Sequence, residues 1–209
     1  MKLCKSLYGK ILVSEDQKIK MYNIIAISGK ANTGKDHVSR LIQNSYKYYP
    51  FSFALHFKME LVGLGDVTYE EVMDTKPTHV RDIIQQRGTE HGRLLYGEDI
   101  WVDTMHSWLT YFSKNWNIGN FIVSDIRFPN EAEYVKRMGG KVFRIKSKDR
   151  LAITKLNSNQ LTHSSETALD SYEDSYFDGI IENNIDTNNM QLIEQIEVLM
   201  KPTRGTKNA

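Results

Sequence analysis

The sequence lacks the features that mark secreted, membrane-spanning and disulfide-stabilised proteins. Its 209 residues include one cysteine, Cys4, so an internal disulfide bond is impossible. Sparse cysteine is typical of a reducing compartment, and we expect a cytoplasmic protein. No apolar run approaches the ~20 residues that span a bilayer, and the N-terminus shows no signal-peptide pattern. We therefore expect no membrane partner.

An excess of charge of one sign is also missing. The 27 Lys and Arg residues nearly balance the 26 Asp and Glu residues, so the formal net charge is +1 and binding of long nucleic acid is not expected. The six histidines show no H-E-x-x-H spacing, and no G-x-S-x-G motif occurs, so zinc-protease and serine-hydrolase signatures are absent. The length suits one domain with a well-buried core.

The most informative stretch is an apolar run that leads into a glycine-rich turn. Residues 24–36 read IIAISGKANTGKD, and Gly29, Gly34 and Lys35 have the G-x-x-x-x-G-K spacing of a phosphate-binding loop. Glycines let backbone N–H groups face a polyphosphate, while the following helix start and the lysine add positive charge. Asp36 stands where Ser or Thr is usual. The predicted donor-nucleotide site comprises Gly29, Lys30, Ala31, Asn32, Thr33, Gly34, Lys35, Asp36 and His37.

Strand and helix patterns alternate after this loop. Helices are predicted over about 35–46, 54–64, 78–91, 99–112, 129–138 and 192–199, and strands over about 51–53, 121–125, 142–145 and 178–182. The alternation predicts a three-layer α/β fold, with a mainly parallel sheet, helices on both faces and ligands at the carboxyl ends of the strands. Trp108 is predicted in the core, on an apolar helix stripe.

The domain is predicted to cover residues 21–201, between an N-terminal extension (1–20) and a C-terminal tail (202–209). Within it, the lysine-rich segment from about 146 to 165 is either a lid over the donor or a solvated loop, and both interpretations stay open. Its cations include Lys146, Lys148, Arg150 and Lys155.

A second acid, Asp125, ends the apolar strand at 121–125. A carboxylate beside a phosphate loop can hold Mg²⁺ directly or through water. Arginines suit a phosphorylated acceptor because their planar fork binds a phosphate through two hydrogen bonds. Arg93 and Arg127 are our candidates for that role, whereas Arg87 and Arg137 are interpreted as solvated side chains or members of structural ion pairs.

These blocks resemble, in the same order, the phage-type deoxynucleoside monophosphate kinase family of P-loop kinases. The resemblance spans about Met21 to Met200, and a GKD ending of the phosphate loop is usual in that family. The chain departs from the family at His37 and in its lysines after Ile145, where arginine is frequent. The matching segments are SGKANTGKD, FALHFKMEL, RDIIQQRGTEHGR with GEDIWVD, VSDIRFPNEAE, HSSETALD and FDGIIENN.

The resemblance implies transfer of the γ-phosphoryl group of ATP to a deoxynucleoside 5′-monophosphate, with Mg²⁺ as the metal cofactor. It implies catalytic roles for Lys35, Arg93, Asp125 and Arg127, with Asp36 and Asp125 on the metal. Asn183 is expected near the adenine. The implied acceptor residues are Lys58, Arg81, Gln85, Glu90, Arg93, Trp101, Arg127 and Glu166. If the protein is phage-encoded, its compartment is the host cytoplasm. The oligomeric state is not determined by the sequence, and a homodimer stays open.

Three other functions stay open at this point. Another P-loop small-molecule kinase, of the phosphomevalonate type, can also carry a GKD loop. A nucleotide-driven motor or packaging ATPase fits less well, because no Glu directly follows Asp125 and the chain is short. A nucleotide-binding regulator without turnover would not need the arginine set.

The unusual Asp36 gives a first testable prediction. A carboxylate beside a polyphosphate is repulsive unless a cation lies between them, so we expect Asp36 to help hold Mg²⁺. Asp36→Ala should therefore change the Mg²⁺ dependence of the phosphoryl-transfer rate, measured by steady-state titration of the metal. An unchanged dependence would restrict Asp36 to a helix-capping or structural role.

Overall fold

The computed structural model describes residues 22–149 and 162–201. Five parallel strands form one sheet in the order β2-β3-β1-β4-β5. The strands are β1 (Asn23–Ser28), β2 (Tyr49–Phe51), β3 (Asn120–Ile126), β4 (Lys141–Lys146) and β5 (Gly179–Glu182). The predicted α/β class with a parallel sheet is confirmed.

Helices connect the strands and cover the sheet. The α-helices are α1 (Lys35–Tyr46), α2 (Leu55–Leu64), α3 (Thr78–Gly88), α4 (Leu94–Tyr96), α5 (Ile100–Trp116), α6 (Pro129–Arg137), α7 (Ser164–Thr167) and α8 (Asn189–Met200). Two π-helical segments (Glu71–Thr75 and Thr89–Arg93) and a 3₁₀ turn (Asp174–Tyr176) complete the elements of the described chain.

The central strand β1 is buried on both faces, as a parallel strand between two helical layers should be. Ile24 and Ala26 belong to the core cluster that includes residues of α5 and α6, whereas Ile25 and Ile27 belong to the cluster that includes residues of α1 and α8. Since side chains alternate across a strand, the run at 24–27 supplies both cores, and the predicted three layers are confirmed.

A smaller apolar cluster supports the helices beside the carboxyl edge of the sheet. It contains Leu61, Val67, Val72 and Val80, from α2, α3 and the segment that joins them. This cluster gives α2 and α3 a packing core of their own, and it places their other side chains next to the phosphate loop.

The second strand lies two residues earlier than predicted, at Tyr49–Phe51. Pro50 is tolerated there because β2 is an edge strand of the described sheet, where a missing N–H breaks no pairing on the open side. The strand ends at Phe51 because the chain turns toward α2, where the Asp125 carboxylate accepts the backbone N–H groups of Phe53 and Ala54 at 2.9 and 3.0 Å.

Trp108 is not buried as predicted, since 38% of it remains exposed and it stacks on Phe112. The buried arc of α5 is centred on Met105 and Leu109, and Trp108 lies at the edge of that arc. Its indole therefore covers the core instead of entering it.

Several sequence predictions lie wholly or partly outside the described residues. These are the extension, the tail, and Arg150 and Lys155 of the lysine-rich segment, for which a lid and a solvated loop both stay open. Within the described ranges, no helix combines the length and apolar character needed to cross a membrane.

Two glycines that precede strands give a matched test of the packing. A Cβ at Gly140, before β4, would lie 2.5 Å from the Ile24 carbonyl oxygen, whereas a Cβ at Gly119, before β3, would meet nothing within 4 Å. We predict that Gly140→Ala lowers the free energy of unfolding by about 1–3 kcal/mol through overpacking. Gly119→Ala should change it by no more than about 1 kcal/mol. Urea denaturation measures both, and equal effects would contradict this packing.

Candidate active site

The phosphate-binding loop connects β1 to α1 and is closely packed against the ends of β4 and β5. Gly29 and Gly34 have positive φ angles of +153° and +90°, a region that side chains rarely adopt. A Cβ on Gly29 would lie 2.8 Å from the Ile145 carbonyl oxygen, and one on Gly34 would lie 2.2 Å from Nδ2 of Asn183. Both glycines are therefore required by the backbone as well as by their neighbours.

Hydrogen bonds fix the loop from within and from below. The Thr33 hydroxyl donates to the Lys30 carbonyl oxygen at 2.8 Å, and the buried Asn183 amide donates to the Thr33 carbonyl oxygen at 2.8 Å. The sequence resemblance predicts Asn183 near the adenine, and the structure places its side chain under the loop. His37 contacts Asn189 of α8 at 2.7 Å.

Lys35 folds back into the loop that it follows. Its ammonium group donates to the carbonyl oxygens of Gly29 and Lys30 at 2.8 and 2.7 Å. Burial and, to a smaller extent, the nearby Arg127 guanidinium lower the pKa of Lys35 to about 7, while neighbouring carboxylates oppose the shift. A polyphosphate in the loop would favour the charged lysine, so anion binding and lysine protonation are linked here.

Two acids flank the mouth of the loop. Each carboxylate oxygen of Asp125 accepts one backbone N–H from the residues that precede α2. Asp36 is exposed, and its Oδ1 lies 3.4 Å from the Ser124 hydroxyl. The described residues contain no group of three His, Cys, Asp or Glu that could hold a metal ion. Magnesium needs only one or two protein carboxylates when phosphate oxygens and waters supply the rest, and this pair fits that requirement.

A cavity of about 290 Å³ opens beside the loop and collects most of the predicted site. Predicted residues in its wall are Ala31, Asn32, Lys35, Asp36, Lys58, Arg81, Gln85, Arg93, Trp101, Asp125, Arg127 and Glu166. Gly29, Lys30 and Thr33 line a second cavity of about 390 Å³ beneath the loop. Glu90 is exposed and lies outside both walls.

One wall of the first cavity is aromatic. The rings of Phe57 and Trp101 lie 4.7 Å apart between centroids, and the indole N–H of Trp101 donates to the Gly88 carbonyl oxygen at 2.6 Å. Gly92 is required beneath this ring, since a Cβ there would lie 2.3 Å from the indole. The predicted helix at 78–91 is α-helical to Gly88 and continues as the π-helical segment Thr89–Arg93.

Cationic side chains also line this cavity. Arg93 is buried, pairs with Glu131 at 2.5 Å, donates to the Glu98 carbonyl oxygen at 2.7 Å and stacks on the Phe128 ring at 3.8 Å. Its Nε atom has no hydrogen-bond partner among the described residues. Lys58 reaches the same cavity, and burial lowers the pKa of its ammonium group while Asp125 opposes that shift.

Glu131 is the residue that sequence reasoning quoted but left without a role. Its carboxylate accepts the backbone N–H groups of Arg127 and Phe128 at 2.7 and 3.1 Å in addition to the Arg93 guanidinium. Burial raises the pKa of Glu131 to about 7, while Arg93 and the backbone N–H groups oppose the shift. An acid two positions after a helix-starting proline, Pro129, was the available signal, because acids there cap helices.

Arg127 contacts Glu166, which extends from α7 toward the phosphate loop. The Glu166 side chain is 7% exposed, and its second oxygen accepts the Ala31 backbone N–H at 3.2 Å. The structure thus places Glu166 against the loop. Outside the cavity, Arg87 pairs with Glu60, as its interpretation as a structural arginine requires.

Comparisons with known proteins support the fold alone. The sequence matches no protein-family model, and no curated protein matches it significantly. TT1252 from Thermus thermophilus has a TM-score of 0.52 and 15% identity, over 87% of this chain and 98% of that chain. Dephospho-CoA kinase from Campylobacter jejuni has a TM-score of 0.48 and 16% identity, over 85% of this chain and 96% of that chain. Shikimate kinase from Bacteroides thetaiotaomicron has a TM-score of 0.47 and 14% identity, over 85% of this chain and 96% of that chain.

The buried pair of Arg93 and Glu131 gives the stability prediction for this site. Glu131→Ala would leave the guanidinium buried without its partner, so we expect a loss of about 3–5 kcal/mol in the free energy of unfolding. Glu133→Ala, on the exposed side of the same helix, should change the free energy of unfolding by no more than about 0.5 kcal/mol. Urea denaturation of the two variants measures the difference, and a similar small loss in both would show that the pair is not structural.

Proposed function

We propose that this protein transfers the γ-phosphoryl group of ATP to a deoxynucleoside 5′-monophosphate. The observation that carries the proposal is the meeting of two anion-binding systems in one cavity. Lys35 and the loop amides form the first, and Arg81, Arg93 and Lys58, which line the same cavity, form the second. An enzyme that only hydrolysed ATP would not need the second system.

The aromatic wall supports a nucleotide as the acceptor. A base can stack on the paired rings of Phe57 and Trp101, and the polar side chain of Gln85 shares the same wall. An isoprenoid phosphate could also use an apolar wall, but it carries no base whose hydrogen-bonding edge the polar side chains of the cavity could read. These contacts, with the sequence resemblance, favour the nucleoside monophosphate over other phosphorylated acceptors.

The chemistry assigned to the chain is positioning and charge neutralisation. Lys35 and the loop N–H groups hold the donor phosphates, and Arg93 holds the acceptor phosphate. Arg127 neutralises charge that develops on the transferred group. Asp36 and Asp125 would hold Mg²⁺, directly or through water, and the bound metal would offset the negative charge of the donor phosphates.

An acceptor panel tests the proposal. A coupled assay of ADP formation with dAMP, dCMP, dGMP, dTMP and a modified dCMP should give turnover well above the rate without acceptor for at least one of them. Phosphomevalonate or another non-nucleotide phosphate serves as the competing class. Hydrolysis stimulated by DNA, or transfer only to a non-nucleotide acceptor, would contradict the proposed function.

Arg127 provides the matching mutational prediction. Arg127→Ala should lower kcat/KM by about 10²-fold or more, because one preorganised donor to the developing charge is removed. Arg87→Ala, whose side chain pairs with Glu60 outside the cavity wall, serves as the control and should retain nearly full activity. A near-normal rate for Arg127→Ala, with circular dichroism unchanged, would exclude the role.

A further inference from the structure

We propose that the Glu166 carboxylate is a built-in substitute for the donor's terminal phosphoryl group, which displaces it on binding. This inference rests on the proposed use of a triphosphate donor. It adds a competing internal anion to the phosphate site, and it assigns Arg127 to the donor's terminal phosphate.

The contacts of Glu166 are those that an anionic ligand would make. One carboxylate oxygen accepts the backbone N–H of Ala31, in the middle of the phosphate-binding loop, at 3.2 Å. The other oxygen accepts a hydrogen bond from the Arg127 guanidinium. A backbone amide of the loop and a guanidinium are also the groups that bind phosphate oxygens in proteins.

The carboxylate is held there by its own segment. The Lys30 ammonium group, which belongs to the loop, donates to the Glu166 carbonyl oxygen at 2.6 Å and pairs with Asp170 at 2.5 Å. These two contacts attach residues 166–170 to the loop. They leave the Glu166 side chain as the part that enters the anion site, where only 7% of it is exposed.

A phosphoryl oxygen and this carboxylate cannot share the site. Both are acceptors of the same N–H and the same guanidinium, and both are negative, so their approach without a cation is repulsive. Removing Glu166 from the site exposes the Ala31 N–H and leaves Arg127 to the incoming group. The apparent affinity for the donor is therefore reduced by the fraction of molecules in which the carboxylate occupies the site.

The terminal phosphate should be the displacing group, because Ala31 lines only the cavity that holds the proposed acceptor residues, and Arg127 lines that cavity too. The lysine and the remaining loop amides serve the other phosphates. A diphosphate that reaches only those groups would leave Glu166 in place. The proposal thus predicts a difference between two nucleotides rather than a general change in affinity.

Calorimetric titration of Glu166→Gln tests this difference. The variant keeps the shape of the side chain and loses its charge. Its dissociation constant for the β,γ-imido analogue of ATP should fall by about fivefold or more, since a charge-assisted contact no longer competes. Its dissociation constant for ADP should change by less than about twofold.

Asp170→Asn is the matched control. The Asp170 carboxylate belongs to the same segment and pairs with Lys30, but it contacts neither Ala31 nor Arg127. The ratio of the dissociation constants for the imido analogue and for ADP should therefore match that of the unmodified protein. An unchanged or weaker affinity of Glu166→Gln for the imido analogue would overturn the proposal. So would an equal gain for ADP, which would indicate a general charge effect.

A measurement on the unmodified protein keeps the proposal testable if the variants do not fold. The carboxyl ¹³C resonance of Glu166 should shift when the imido analogue is added and stay unchanged with ADP. A Glu166 chemical shift that changes with neither nucleotide would refute displacement. Protein that binds the analogue in this way but phosphorylates no nucleotide would refute the proposed function and leave this inference standing.

Discussion

The close packing of the phosphate loop on the strand ends is the constraint on which the rest of the site depends. The loop has no room for a side chain at Gly29, where the Ile145 carbonyl oxygen is too near, or at Gly34, above Asn183. The loop backbone packs directly on the ends of β4 and β5. In this arrangement Lys35 donates to the loop carbonyls, and the Ala31 N–H points to the Glu166 carboxylate at the cavity wall. An anion site made of backbone groups needs this rigidity, since its donors cannot adjust as side chains do.

A second level of organisation comes from buried charge. Glu131 joins the backbone at residues 127–128, directly after β3, to the guanidinium of Arg93, and so it couples the end of that strand to the segment that carries Arg93. Burying such a pair gives little net stability, but it makes each partner intolerant of the other's loss. We infer that the main effect of the pair is geometric, because it fixes Arg93 beside the backbone of Arg127 and both residues line the cavity.

The sequence was enough to predict the parts of the site that follow a fixed backbone pattern. The glycine spacing, the strand ending in Asp125 and the alternation of strands and helices led to the three-layer fold and to a cavity that contains most of the predicted residues. Contacts between distant segments were not predictable in this way. Asp125 as an acceptor for the start of α2, Glu131 as a partner of Arg93, and Glu166 on the loop all depend on side-chain directions that only the packed fold determines. Trp108 was misplaced for a related reason, because helical spacing defines a stripe but not how far its edge is covered.

A bisubstrate ligand can measure whether donor and acceptor phosphates bind in one cavity, as the proposed function requires. Adenosine and deoxythymidine joined through five phosphates would reach the loop and the cationic side chains of the cavity together. If both sites belong to one cavity, calorimetry should show binding at least about 100-fold tighter than that of ATP alone, because the second contact becomes intramolecular. If neither this ligand nor its analogues with the other deoxynucleosides bind more tightly than ATP, the donor and acceptor phosphates do not share one cavity.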